Sequence, residues 1–190
     1  CLNRIERQGE GKRCADVCCG SGVVGVTLAA EREKLEVIAV DSQVDALSVA
    51  RKNADKHGVA DRVTFLEGSL TEPLEEALEA GSGLDLLAGN PPYIPSDQID
   101  ELEPEVGDYE PRVALDGGPD GLDVIRKLVP GAVRVLRPGG WMALEIGEDQ
   151  ADEVRDIVQN EQAFDTDQLE VARDAGGHRR VIAVRKGGAD

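Results

Sequence analysis

The sequence predicts an α/β protein built on a doubly wound, mostly parallel sheet of seven strands, and three observations carry that reading. Short apolar runs alternate with segments of helical spacing from residue 13 onward, the pattern of strands covered on both faces by crossover helices. The first run, CADVC at residues 14–18, passes through Gly20, Ser21 and Gly22 directly into a helical stretch. The fourth, beginning at Leu84, halts at Gly89, Asn90, Pro91, Pro92 and Tyr93.

The chain opens on Cys1 rather than Met, and residues 1–12 are polar and unpatterned. They are expected to be a lead-in left by a truncated N-terminal region, ahead of one domain over residues 13–190. Strand, glycine turn and helix (VVGVTLAAE, residues 23–31) form a βα unit of the nucleotide-binding type. Small residues there let backbone approach a ligand, and the helix N-terminus faces an anionic group. The second strand, residues 36–40, ends on Asp41, about 20 residues beyond the turn, where a carboxylate accepts hydrogen bonds from ribose hydroxyls or caps the following helix over residues 45–58. Residues 63–67 make a third strand. The loop Gly68, Ser69, Leu70 after it either contacts an adenine, through a Ser69 hydrogen bond and Leu70 packing, or is a plain turn.

A short solvated helix is expected over residues 74–80, then the fourth strand. Residues 96–120 read as a long loop containing Tyr109, Glu110, Pro111 and Arg112, expected to cover the pocket because loops of that length inside a compact domain tend to be functional. A helix over residues 121–136 is expected to stop at Arg137, Pro138, Gly139 and Gly140. A fifth strand over 141–146, an amphipathic helix over 149–160 and two strands near 167–172 and 180–184 complete the chain. The last two, joined by DAGGHR, predict a hairpin that adds one antiparallel strand.

Composition narrows the function. A chain of 190 residues fits one domain. Apolar residues are 41% of it, with no run long enough to cross a bilayer and no signal-peptide pattern, so a cytoplasmic protein without a membrane partner is expected. The net charge is −17, from 38 acidic against 21 basic residues. A dispersed acidic surface repels phosphate backbones, which argues against direct contact with nucleic acid. Cys1, Cys14, Cys18 and Cys19 show no CxxC spacing and lie far from His57 and His178. They read as reduced structural thiols, with no metal site expected.

The Asn90–Tyr93 corner has a chemistry of its own. Two consecutive prolines stiffen the exit from the strand, presenting the Asn90 side chain, the Pro91 carbonyl and the Tyr93 ring at the carboxyl end of the sheet. Two acceptors, the Asn90 side-chain oxygen and the Pro91 carbonyl, can take both hydrogens of an amine or amide NH2 group. If that nitrogen attacks a methyl donor it gains positive charge, which two carbonyl dipoles and the Tyr93 π face stabilise. The plain structural alternative is a Pro-rich turn with Tyr93 capping the core.

DVCCGSG, AVD, GNPPYI, YEPRVALDGGPDGLDV and LRPGGWMALEIG, in this order and at these intervals, resemble the release-factor glutamine methyltransferases, the HemK/PrmC family, over residues 13–186. The resemblance implies a Rossmann-like class I methyltransferase fold with S-adenosylmethionine as cofactor. The partner it implies is a peptide chain release factor, methylated on the side-chain amide of the glutamine in its GGQ motif; a monomer is expected. Its cofactor residues carry over to Asp16, Cys18, Cys19, Gly20, Ser21, Gly22, Asp41, Ser69, Leu70 and Asn90. Its substrate residues carry over to Asn90, Pro91, Pro92 and Tyr93, with Asn90, Pro91 and Tyr93 serving catalysis. Cys18 stands where the family pattern has its first glycine, which is expected to crowd the methionine end of the cofactor or to require an ordinary backbone angle there. Alternative readings are an adenine amino-methyltransferase acting on DNA or RNA, which shares the NPPY motif, and a non-catalytic methyltransferase-like binding module.

Overall fold

The computed structural model describes residues 1, 12–79, 81–102 and 110–188. Most of the lead-in expected over residues 1–12, together with Tyr109 and Ala80, lies outside the described residues. The elements run β1 (Lys12–Val17), α1 (Val23–Glu31), β2 (Leu35–Asp41), α2 (Val44–Lys56), β3 (Val63–Glu67), α3 (Glu72–Ala77), β4 (Leu84–Gly89), α4 (Arg112–Leu115), α5 (Asp123–Val135), β5 (Leu136–Glu145), α6 (Ala151–Gln159), β6 (Phe164–Arg173) and β7 (Arg179–Lys186). Seven strands form one sheet in the order β3-β2-β1-β4-β5-β7-β6. β1 through β5 pair in parallel, and β7 runs antiparallel to both β5 and β6. The single antiparallel strand is the one the C-terminal hairpin predicted.

Both faces are covered, which is why the central strands are apolar without a break. On one face Ala15, Val17, Leu87 and Leu144 pack with Leu128 and Val129 of α5 and Val154 and Val158 of α6. On the other, Cys14, Val37, Leu86 and Ala143 meet Val26 and Ala29 of α1 and Leu47 of α2. α1 sits close against the sheet because Gly25 lacks a side chain; a Cβ there would lie 3.1 Å from both Val37 Cγ1 and Asp16 Oδ2.

The chain winds outward from β1 to β3 and then crosses back to β4 on the other side of β1. That reversal leaves a crevice at the carboxyl ends of β1 and β4, where sheets of this kind bind ligands. Val17 pairs with Val40 on one side and with Gly89 on the other. The residues that follow, Cys18, Asp41 and Asn90, therefore leave the sheet side by side.

Several boundaries differ from the sequence reading. The helix expected over 121–136 ends at Val135, and Leu136 already pairs with Leu84 in β5. Residues 137–140, expected as a stop, form an irregular bulge inside β5, between the pairs Leu84–Leu136 and Leu86–Trp141. Glycines make this possible: Gly139 takes φ 77°, and a Cβ on Gly140 would lie 2.7 Å from the Leu84 carbonyl oxygen. The expected loop over 96–120 contains a 3-10 turn at Ile99–Glu101 as well as α4. α3 starts two residues earlier than expected, and β6 and β7 are longer.

α3 and α5 meet where Gly131 faces buried Thr71, whose hydroxyl donates to Glu75 Oε1 at 3.0 Å. A Cβ at position 131 would collide with Thr71 Oγ1. Gly131→Ala should gain about 1 kcal/mol of helix propensity and lose about 1–3 kcal/mol to overpacking, for a net destabilisation in urea melts. Making the same change in a Thr71→Ala background should be less harmful, because the colliding hydroxyl and methyl are gone.

Candidate active site

A cavity of about 600 Å³ opens at the carboxyl ends of β1, β2, β3 and β4, within the size range of small-molecule sites. One half is lined by Cys18, Gly20, Asp41, Ser42, Gln43, Ser69 and Leu70. Asn90 and Pro92 border the other, with Arg112, Val113 and Asp116 from the α4 segment and Val124 and Lys127 from α5.

Asp41 organises the first half. Its Oδ2 accepts from the Gly20 N–H at 2.8 Å, its Oδ1 from the Gln43 N–H at 2.9 Å, and its carbonyl from the Gly68 N–H at 3.0 Å. It thus anchors the turn after β1, the entry to α2 and the turn after β3. Asp41 is not the cap of α2, which begins at Val44 with Gln43 at the N-cap and no side-chain cap bond; Asp41 holds the Gln43 N–H instead, and each carboxylate oxygen keeps a second lone pair for a ligand.

The turn after β1 is wound tightly, with Cys18, Gly20 and Gly22 at φ 56°, 54° and 77°. Cys18 therefore does not adopt the ordinary backbone angle that its side chain favours. The Cys19 N–H donates to the Val40 carbonyl at 3.0 Å and Gly22 N–H to the Cys19 carbonyl at 2.8 Å, which holds it there. A Cβ on Gly20 would meet nothing within 4 Å. That bare backbone faces open space, as a cradle for a ligand should. Burial, with Asp41 and Asp16 adding to it, pushes the Cys18 thiol up to about 12, so it stays protonated and inert.

Asp16 lies beneath the turn, 1% exposed, accepting from the Gly25 N–H at 2.7 Å. Burial raises its carboxyl to about 7; the Gly25 N–H opposes that and the neighbouring Asp41 adds to it.

In the second half Asn90 is exposed, and no hydrogen bond to its side chain is made among the described residues. Pro91 is buried and Tyr93 half-buried. The Tyr93 hydroxyl donates to Glu145 Oε1 at 3.2 Å, and burial followed by the Glu145 charge raises the phenol above its usual range. The chain beyond is clipped to the α4 segment: Ile94 N–H donates to the Leu115 carbonyl at 3.0 Å and Gly117 N–H to the Ile94 carbonyl at 2.9 Å. Arg112 tightens the clip through the Ser96 carbonyl at 3.1 Å and Asp116 at 3.3 Å. A hydrogen bond from Ser96 Oγ, at 2.6 Å, heads the contacts that lower the Asp116 carboxyl, ahead of the Gly118 N–H and Arg112.

The expected site residues are thus sorted by position. Cys18, Gly20, Asp41, Ser69, Leu70, Asn90 and Pro92 border the cavity, whereas Asp16, Cys19, Ser21, Gly22, Pro91 and Tyr93 are not part of its lining. Val124 and Lys127 were not foreseen. They lie one turn apart on a helix whose spacing announces a buried face but not which exposed residues overlook a crevice. Arg112 was placed in the covering segment by the length of the loop that holds it, and the structure brings it to the cavity wall.

Among the described residues no group of three or more His, Cys, Asp or Glu is arranged to hold a metal ion, and no helix is long and apolar enough to cross a membrane. A family model described as a methyltransferase domain matches residues 8–176. The release factor glutamine methyltransferase of Geobacter sulfurreducens is 42% identical over 172 residues, covering 90% of this chain and 57% of that protein. That of Moorella thermoacetica is 45% identical over 172 residues, covering 90% and 58%. The chain thus spans less than two thirds of the length of these relatives. Among solved structures, TrmN from Thermus thermophilus matches with TM-score 0.65 at 20% identity, covering 97% of this chain and 47% of that one. A methyltransferase from Pyrococcus furiosus matches with TM-score 0.66 at 17% identity, covering 94% and 76%. These two likenesses concern the fold alone. With the family model spanning residues 8–176 of its 190, the chain belongs to the methyltransferase-domain family.

Proposed function

We propose that this chain is the catalytic domain of a protein-glutamine methyltransferase, transferring a methyl group from S-adenosylmethionine to the side-chain amide nitrogen of the glutamine in the GGQ motif of a peptide chain release factor. One observation carries the reading: a single cavity is bordered by Asn90 and Pro92 on one side and by the Cys18–Gly20 turn, Asp41 and Ser69 on the other. The names of the relatives support the choice of acceptor.

The residues present fit the cofactor. Asp41 faces the cavity at the tip of β2, where it would accept from ribose hydroxyls, while Ser69 and Leu70 border the place for the adenine. The bare backbone at Gly20 leaves room for the methionine end. When bound, S-adenosylmethionine supplies an electrophilic methyl group on a sulfonium sulfur.

Asn90 and the Pro91 carbonyl orient the acceptor. With no hydrogen bond to another described residue to break, the Asn90 side-chain oxygen takes one amide N–H, and the Pro91 carbonyl takes the other. Both acceptors gain strength as the nitrogen forms its bond to carbon and turns positive, so they stabilise the transition state more than the ground state. The alkylated nitrogen then sheds a proton to water, and no strong base is required. Holding both reactants rigidly contributes several kcal/mol, on the order of the effective-molarity advantage. An adenine amine presents the same NH2 geometry, but a net charge of −17 opposes a polyanionic partner.

Mass spectrometry of a GGQ-containing release factor after incubation with this chain and S-adenosylmethionine should show one added methyl on the glutamine. An unmodified glutamine, or transfer to adenine in DNA or RNA instead, refutes the assignment. Asn90→Ala should lower turnover by about 100-fold or more while leaving cofactor affinity within about tenfold. Asp41→Ala should weaken cofactor binding first; calorimetry and single-turnover kinetics separate the two effects.

A pH dependence follows from Asp16. A cationic ligand above it favours its ionised form, so binding lowers its pKa from about 7 and releases a proton. Cofactor affinity should therefore rise as the pH is raised from about 6 to about 8, and the slope should flatten in Asp16→Asn; calorimetry across that range with and without the substitution tests it.

A further inference from the structure

We propose that Gln150 is the positioning residue that holds the Asn90–Tyr93 corner in place. This rests on the reading given under Proposed function and adds the residue that makes its geometry reproducible. Gln150 immediately precedes α6 and does not border the cavity. Its amide is nevertheless bonded to three separate backbone segments. Nε2 donates to the Tyr93 carbonyl at 2.8 Å and to the Gly121 carbonyl at 3.3 Å, and Oε1 accepts from the Gly147 N–H at 2.9 Å. Those segments are the exit from β4, the lead into α5 and the turn after β5. The orientation of the amide is unambiguous, because reversing it would set its oxygen against two carbonyls and its NH2 against an N–H.

The surroundings are cut to fit that one side chain. A Cβ on Gly121, at φ 75°, would lie 2.6 Å from Gln150 Nε2 and collide with the Tyr93 carbonyl. One on Gly147 would lie 2.9 Å from Oε1. Gln150 is itself braced, its N–H donating to the Gly147 carbonyl at 3.1 Å and its carbonyl accepting from Val154 at 2.9 Å.

The corner needs such an anchor. Pro91 and Pro92 fix φ at two positions and restrict ψ at Asn90 and Pro91, so the corner is stiff within itself; from ψ of Pro92 onward the chain is free to turn, and the corner as a unit needs a tie to the rest of the fold. The Tyr93 hydroxyl on Glu145 fixes the ring, and Gln150 fixes the main chain at the same residue. An exposed Asn90 whose side chain has no hydrogen bond among the described residues depends on its backbone for its aim. A displacement of about 1 Å there is enough to cost about 100-fold in rate.

The test compares wild type, Gln150→Met, Asn90→Ala and the double variant for methyl transfer to a GGQ-containing release factor, cofactor affinity, and hydrogen exchange at the Ile94 and Gly117 amides. Gln150→Met should lower kcat by about 100-fold with cofactor Kd changed by less than about threefold. Exchange should rise at Ile94 and Gly117 but not in β1 or β2. In the Asn90→Ala background the second change should cost little, because both act on one step. Unchanged kcat in folded Gln150→Met, or losses that multiply, would overturn the proposal. If wild type leaves the glutamine unmodified, the acceptor reading fails instead; unaltered exchange at Ile94 and Gly117 then overturns the anchoring role, and raised exchange upholds it. Should Gln150→Met not fold, Gln150→Glu removes the NH2 donor while keeping the Gly147 acceptor, and the same readouts decide.

Discussion

Asp41 is the interaction on which the geometry of the site depends. Three turns from three strands have to meet at one edge of the sheet, and loops that close on a ligand cannot bury their polar backbone without partners. Its carboxylate takes the N–H groups of Gly20 and Gln43, and its carbonyl takes that of Gly68. The parallel register then does the rest. Because Val17, Val40 and Gly89 lie level, the residues after them emerge together, and a cavity forms between them.

Strain collects at this edge. Cys18 and Leu70 are the two non-glycine residues at positive φ among those described, and both border the cavity. Each costs roughly 1–2 kcal/mol relative to an ordinary conformation. Such outliers persist where neighbours over-determine them: bonds to Val40 and Asp41 hold the Cys18 turn, and a bond from the Glu72 N–H to the Ser69 carbonyl spans Leu70. Cys18 thus replaces a glycine without restoring the backbone angle a side chain favours. Its thiol, raised to about 12, adds bulk to the turn but no nucleophile.

The Asn90–Tyr93 side is built differently. It is a rigid corner braced by Glu145 on the Tyr93 hydroxyl, Gln150 on the Tyr93 carbonyl, and the Ile94–Asp116 clip. An Asn90 amide with no partner among the described residues, on a fixed backbone, is suited to take up a new partner without first losing an old one. The glycine turn after β1, held at positive φ, and the braced diproline corner after β4 border one cavity at the boundary between β1 and β4.

What the sequence determined by itself was local and periodic. Runs such as residues 36–40 and 84–89 announced buried strands, Gly20 to Gly22 announced the first turn, and Pro91 and Pro92 announced a stiff corner, because apolar period, positive φ and fixed φ are properties of single residues and near neighbours. The same logic misread residues 137–140, where Pro-Gly-Gly looked like a helix stop. Only pairing with β4, allowed by close backbone approach at Gly83 and Gly140, makes it part of a strand. Tertiary structure alone decided that Val124 and Lys127 overlook the cavity, that Tyr93 turns its hydroxyl to Glu145, and that Gln150 reaches back 57 residues to the Tyr93 carbonyl. Those contacts join segments remote in sequence, so no periodicity records them; they exist only once the sheet has set the strand order and register.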